Sequence, residues 1–144
     1  MSRIPPGAFI VPGLLALAEV VAVPHALAGD WPQFKRDAAR TGDAPEEVLA
    51  FPMQRVVAVR LSAPIYASPA VVGGHVYIQD ALGHLVCIAA DSNRVLWLTD
   101  LGGINNSSSP AVAGGKVFVG STEGDLVVLD AGSGEVLARA PRRP

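Results

Sequence analysis

The sequence predicts an all-β chain, a partial β-propeller of two four-stranded antiparallel blades behind a leading strand. Three observations predict it. Residues 68–96 recur as residues 109–137 at an offset of 41, with 14 of 29 aligned positions identical. The identities hold turn glycines and apolar residues in register together: Gly73-Gly74 with Gly114-Gly115, Gly83 with Gly124, Leu85-Val86 with Leu126-Val127. Each copy splits into four short apolar runs joined by three turn signals, which is an antiparallel meander. A four-stranded meander repeated about every 40 residues is a propeller blade.

The elements follow in chain order. Residues 1–28 read as a secretory signal, with Arg3 at the start, a mostly apolar run over 8–23 and an Ala26-Leu27-Ala28 cleavage site that leaves Gly29 first. Pro12 and Glu19 interrupt the run, which argues against a bilayer span of roughly 20 apolar residues. Residues 29–52 form an N-terminal lead, in which Trp31 and Phe34 are expected to pack onto the sheet. Residues 44–50 suit one short helical turn. Residues 53–61 alternate loosely through Val57, Val59 and Leu61 and read as an orphan strand.

The propeller repeats span 53–140, with blade 1 over 65–98 and blade 2 over 107–140. In blade 1 the expected strands are 65–72, 75–79, 84–89 and 94–98. Gly73-Gly74 suits a hairpin because both central residues tolerate positive φ. Pro141, Arg142, Arg143 and Pro144 read as a solvated tail.

The chain has 144 residues, is 50% hydrophobic and carries a net charge of −2. That balance leaves no basic stripe for a nucleic-acid partner. One cysteine excludes an internal disulfide and a cysteine-based zinc site.

These residues resemble the pyrroloquinoline-quinone-like (PQQ-like) propeller repeat. That repeat runs Ser-Pro-Ala-Val, Gly-Gly-x-Val-Tyr/Phe-Val-Gly, Gly-x-Leu-x-Ala-Leu-Asp, then a Thr-Gly turn and a strand closing on Trp. Residues 109–137 follow it through Asp130 and Gly134. Residues 68–97 depart at Ala89 and Asn93, where the Asp and the turn Gly would stand. The resemblance implies that Trp97 docks between neighbouring blades, whereas blade 2 has Ala138 there. Trp31-Pro32-Gln33-Phe34 with Arg40-Thr41-Gly42 looks like the lead that opens such propellers.

Few residues suggest chemistry. Cys87 aligns with Val128 and reads as core. His75 and His84 align with Lys116 and Asp125 and read as solvated loop ends. Asp80, Asp91, Glu123, Asp125 and Asp130 are scattered over turns, with no pairing for acid–base work. Asp130 suits a turn cap bonding the N–H groups that follow it. Asn105-Asn106-Ser107-Ser108 holds two overlapping Asn-x-Ser sequences, and residues 102–108 form the best-placed candidate contact surface. No catalytic, cofactor-binding or metal residue is assigned.

The expected role is an exported, non-catalytic protein-interaction scaffold, periplasmic or secreted, similar to the propeller assembly factors of the bacterial envelope. No cofactor and no membrane span in the mature chain are expected. The alternative is the N-terminal fragment of a quinone-dependent dehydrogenase, which alone would call for PQQ and calcium. Propellers close with about 4 to 8 blades, so two blades leave an apolar face and sheet edges open. The chain is then part of a longer protein, one member of a ring of chains, or a truncated product that folds poorly. The expected partners are further blades, another protein, or a second copy joined through open sheet edges.

Overall fold

A computed structural model describes residues 29–47, 51–52, 55, 57–104 and 106–141. The described chain is all-β: β1 (Ala70–Val72), β2 (His75–Gln79), β3 (His84–Ala89), β4 (Val95–Asp100), β5 (Ala111–Ala113), β6 (Lys116–Gly120), β7 (Leu126–Asp130) and β8 (Val136–Ala140). They form two antiparallel sheets in the orders β1-β2-β3-β4 and β5-β6-β7-β8. The duplication is therefore one of structure as well as sequence. Both sheets carry a register shift at the same place, between Cys87 and Ile88 and between Val128 and Leu129.

The turns explain the register. Gly73 and Gly74 have φ of 55° and 75°, and Gly114 and Gly115 match them at 55° and 71°. Double positive φ is the tight hairpin whose twist suits the flanking strands. Where blade 2 closes its third turn with Gly134 (φ 76°), blade 1 uses Asn93 at 57°. Asparagine is among the few side chains that tolerate this region, so the two turns share one shape.

Four sequence expectations need correction. The first strand of blade 1 covers 70–72 and not 65–72. Pro64 and Pro69 have no N–H to give a ladder. The backbone between them bonds elsewhere: Pro64 O accepts from Ala81 N at 2.8 Å and Ser68 N donates to Ser109 Oγ at 3.0 Å. The fourth strand runs two residues further than expected, because Thr99 and Asp100 pair with Leu85 and His84.

The orphan strand does not form among its described residues, Arg55 and 57–61; Met53, Gln54 and Val56 lie outside them. The lead lies beside β1. Trp31 and Val71 exchange two backbone hydrogen bonds, and Pro32 O accepts from Val112 N at 2.8 Å. One short segment thus bonds the first strands of both blades, which covers part of two sheet edges. Finally, Phe34 does not pack onto the sheet: it is 47% exposed, with Lys35 Nζ 5.9 Å from its ring centroid. In the expected helical turn, Glu47 N donates to Ala44 O at 2.9 Å; residues 48–50 lie outside the described set, as do the signal (1–28) and residues 142–144 of the tail.

The core lies between the sheets. Ala70, Tyr77, Leu85 and Cys87 on blade 1 meet Val112, Val117, Val119, Val127 and Leu129 on blade 2. Alternation along each strand puts these residues on one face, as sheet-on-sheet packing requires.

Candidate functional site

Two regions stand out: the junction face, in its closed and open forms, and the end of the blades where β2 turns into β3.

The junction is latched by three donors on blade 1. Trp97 Nε1–H donates to Ala131 O at 3.1 Å, the Tyr77 hydroxyl donates to the same oxygen at 3.3 Å, and Thr99 Oγ1 donates to Gly134 O at 2.6 Å. The Trp97 and Tyr77 rings are 5.9 Å apart and tilted by 48°, within the roughly 4.5–7 Å centroid range of favourable aromatic pairs. A Cβ on Gly134 would lie 2.6 Å from the Trp97 ring, so only glycine admits the indole. Burial pushes the Tyr77 phenol up to about 12. The sequence pointed to Trp97. Tyr77 and Thr99 were not legible as donors, because their acceptors lie 54 and 35 residues downstream.

Blade 2 presents the equivalent face on its far side. Phe118 stands for Tyr77, Ala138 for Trp97 and Ala140 for Thr99, so every latch donor is missing. Leu126, the equivalent of Leu85, is 47% exposed where Leu85 is 0%. On this face Leu126, Ala138 and Ala140 are exposed and Phe118 and Val128 half-buried, with Lys116 opposite Asp130.

The blade end is built on Asp80, whose side chain is fully buried. Its Oδ1 accepts from the N–H groups of Leu82 and His84, both at 3.0 Å. Its Oδ2 accepts from Ser62 Oγ at 2.8 Å and lies 2.9 Å from His84 Nδ1, which is also 3.0 Å from Ser62 Oγ. Burial pushes the Asp80 carboxyl up, but bonds from His84 and Ser62 outweigh it and hold the group below its ordinary value. His84 is therefore a partly buried partner of Asp80 and not a solvated loop end. The three residues do not make a nucleophilic triad. Activation needs the imidazole to bridge acid and hydroxyl through two nitrogens, whereas Nδ1 here faces both.

Beside this turn is a cleft of about 430 Å3 lined by Ser62, Pro64, Tyr66, Leu82 and Ile104, among others. A second, of about 530 Å3, is lined by Asn106, Ser107, Ser108, Ser121 and Thr122 with Ile104 and Gly120. Ile104 thus borders both and Asn106, Ser107 and Ser108 the second, and Asn106 is satisfied: Nδ2 donates to Gly120 O and Oδ1 accepts from Ser108 N. Asn105 lies outside the described residues.

The remaining candidates do not converge. Cys87 is buried in the core, and burial pushes its thiol up. His75 Nδ1 is 2.9 Å from Gly73 O in its own turn. Asp130 caps its turn, accepting from Gly132 N, Ser133 N and Ser133 Oγ; the Ser133 bonds hold its carboxyl low. Asp125 lies 3.9 Å from Arg139, and Asp91 and Glu123 are exposed. Among the described residues no three His, Cys, Asp or Glu side chains group together, and no helix is long and apolar enough to cross a membrane.

The sequence profile of the family described as outer membrane protein assembly factor BamB matches residues 50–143. The chain belongs to this PQQ-like repeat family. No curated protein matches it. Among solved structures, the PQQ-like fold is shared with a quinohemoprotein alcohol dehydrogenase from Comamonas testosteroni, at 20% identity and a TM-score of 0.57 over 78% of this chain and 19% of that one. It is shared also with a europium-containing methanol dehydrogenase, at 18% identity and a TM-score of 0.62 over 80% of this chain and 23% of that one. The PQQ-like repeat chain therefore spans about a fifth of the length of either, and at such identity the likeness concerns the fold.

Proposed function

We propose that the protein is an exported PQQ-like propeller module, periplasmic or secreted, that acts as a non-catalytic protein-interaction scaffold within a larger assembly. One observation carries the reading. Leu85 and Leu126 hold the same place in two copies of one sheet, yet one is 0% and the other 47% exposed. The second copy therefore offers the surface that the first uses for binding. The leader over 1–28 supports export, and the family description concerns envelope assembly. The test is fractionation of the expressing cell with N-terminal sequencing. The reading expects a periplasmic or secreted species starting at Gly29; an intact chain retained in the cytoplasm defeats it.

A second reading, the N-terminal part of a quinone-dependent dehydrogenase, draws on the titles of the solved neighbours. The residues described here do not fit its cofactors: Cys87 is a lone, buried thiol and the carboxylates do not group. Titration of the full chain with PQQ and calcium decides between the two. A saturable absorbance change favours the enzyme, and none favours the scaffold.

A further inference from the structure

We infer that Glu47, with Glu46 beside it, accepts the α-ammonium that cleavage after Ala28 frees on Gly29, and that this ion pair fastens the N-terminal lead onto the blades. The inference rests on the export reading, which puts the cut there, and adds what the cut does for the fold.

The first ground is position. The Gly29 N–H donates to Glu47 Oε1, a bond that joins residues 18 positions apart. A Cβ on Gly29 would lie 2.9 Å from that oxygen and 3.8 Å from Glu46 Oε1, so both carboxylates stand at this residue. The nitrogen that the cut turns into an amine therefore already faces its acceptor.

The second ground is charge. Arg36 pairs with Glu46 and donates from its other terminal nitrogen to Asp43 O. No cation pairs with Glu47 among the described residues. Arg36, Glu46 and Glu47 thus sum to a charge of −1, and the peptide N–H of Gly29 adds nothing to it. A free α-amine is mostly protonated at neutral pH and brings the sum to zero. A charge then meets Glu47 where only a dipole met it before.

The third ground is what the segment after Gly29 does. Asp30 Oδ1 accepts from Gly73 N at 2.9 Å, Trp31 exchanges two backbone bonds with Val71, and Pro32 O accepts from Val112 N. The bonds that cover β1 and β5 thus start at the residue after the cut. A chain end frays unless it is tied down. Glu47 sits in a turn further along the lead, with its own N–H on Ala44 O, so the pair ties the new terminus to that turn. An amine held by a carboxylate titrates higher in the folded chain than in the unfolded. The pair therefore stabilises fully below the unfolded value and is lost as pH rises through the folded one.

The test places a protease recognition sequence directly before Gly29 in the full chain, so that cutting the folded protein leaves glycine at the new terminus. Circular dichroism before and after cutting checks the fold. With ¹³C-labelled glycine, the Gly29 Cα resonance is followed against pH. The expected midpoint is about half a pH unit higher in the cut parent than in cut Glu47→Gln. It falls toward that of the variant in about 1 M salt, which screens exposed pairs; this response reads the pair in the parent alone. Glu123→Gln, in the β6–β7 turn, leaves the midpoint unchanged. The Trp31 amide exchanges about twofold faster in cut Glu47→Gln than in the cut parent. Equal midpoints in parent and Glu47→Gln, a midpoint indifferent to salt, or an equal fall in Glu123→Gln overturns the pair, and equal exchange at Trp31 overturns the fastening. A chain kept whole in the cytoplasm whose cut form shows the raised midpoint defeats export and leaves the pair standing; an exported chain starting at Gly29 whose amine titrates as in Glu47→Gln does the reverse.

Discussion

The two blades have one backbone and two surfaces. Tyr77, Trp97 and Thr99 on blade 1 become Phe118, Ala138 and Ala140 on blade 2. The hairpins, the bulge and the strand register survive these exchanges unchanged. The repeat's shape is therefore set by turn residues and alternation, while its adhesion is set by a few donors on one face. The blade ends differ in the same manner. Blade 1 holds its β2–β3 turn with the buried Asp80, tied to Ser62 and His84. Blade 2 uses Ser121, whose hydroxyl oxygen accepts from Asp125 N at 3.1 Å, and has Gly103 where Ser62 would stand.

Breaking the latch should have the largest effect. Trp97→Ala removes the indole and its bond to Ala131 O and is expected to lower stability by about 3 kcal/mol, read from the denaturation midpoint. The reciprocal Ala138→Trp, in dilute protein, should move it by less than about 0.5 kcal/mol, because an exposed site has nothing to grip. Equal effects would mean that the junction is not what separates the blades.

Next comes the blade end. Asp80→Ala leaves the N–H groups of Leu82 and His84 without their acceptor and should cost about 2 kcal/mol. The folded carboxyl is held below its ordinary 3.8. Its contribution is therefore complete above pH 3.8 and is lost as pH falls through the lower folded value. Melting temperatures across that acid range should fall more steeply for the parent than for Asp80→Asn. Parallel curves would show that Asp80 does not govern the acid limb.

Gln79 runs the other way. It is 0% exposed, neither its Nε2 nor its Oε1 has a partner, and blade 2 carries Gly120 in its place. Gln79→Leu should raise stability by about 1 kcal/mol. A loss of that size would instead reveal a partner for the amide.

The smallest effect is expected from Tyr77→Phe, which gives blade 1 the residue of blade 2. It should cost about 1 kcal/mol or less and abolish the tyrosinate absorbance step near pH 12. The folded phenol is held at about 12 against an ordinary 10.0, so its contribution is complete below pH 10.0 and lost as pH rises through 12. A parent protein without a tyrosinate step near pH 12 would sink the assignment of Tyr77 to the junction.

Much of the fold was legible in the residues. The strands 75–79 and 84–89 emerged with their observed bounds, because Gly-Gly and the Asp80–Gly83 turn punctuate them locally. The contribution of Asp130 to its turn was legible for the same reason, since donors and acceptor lie within three residues. The leading strand over 53–61 was not: alternation shows that a segment can be a strand, whereas a ladder needs a neighbour, and its described residues have none. His84 was misjudged because one of its partners, Ser62, is 22 residues away.

The sequence by itself determined the repeat, its turns, the alternation that gives each sheet an apolar face, and the family. Those features depend on φ preferences and on side chains two to four residues apart, which a linear reading can see. Only the tertiary structure decided which apolar face is covered, that the lead bonds the first strand of each blade, and that Tyr77, Trp97 and Thr99 act together on one turn. Such contacts join residues dozens of positions apart, and their energies depend on which donor meets which acceptor once the sheets are packed.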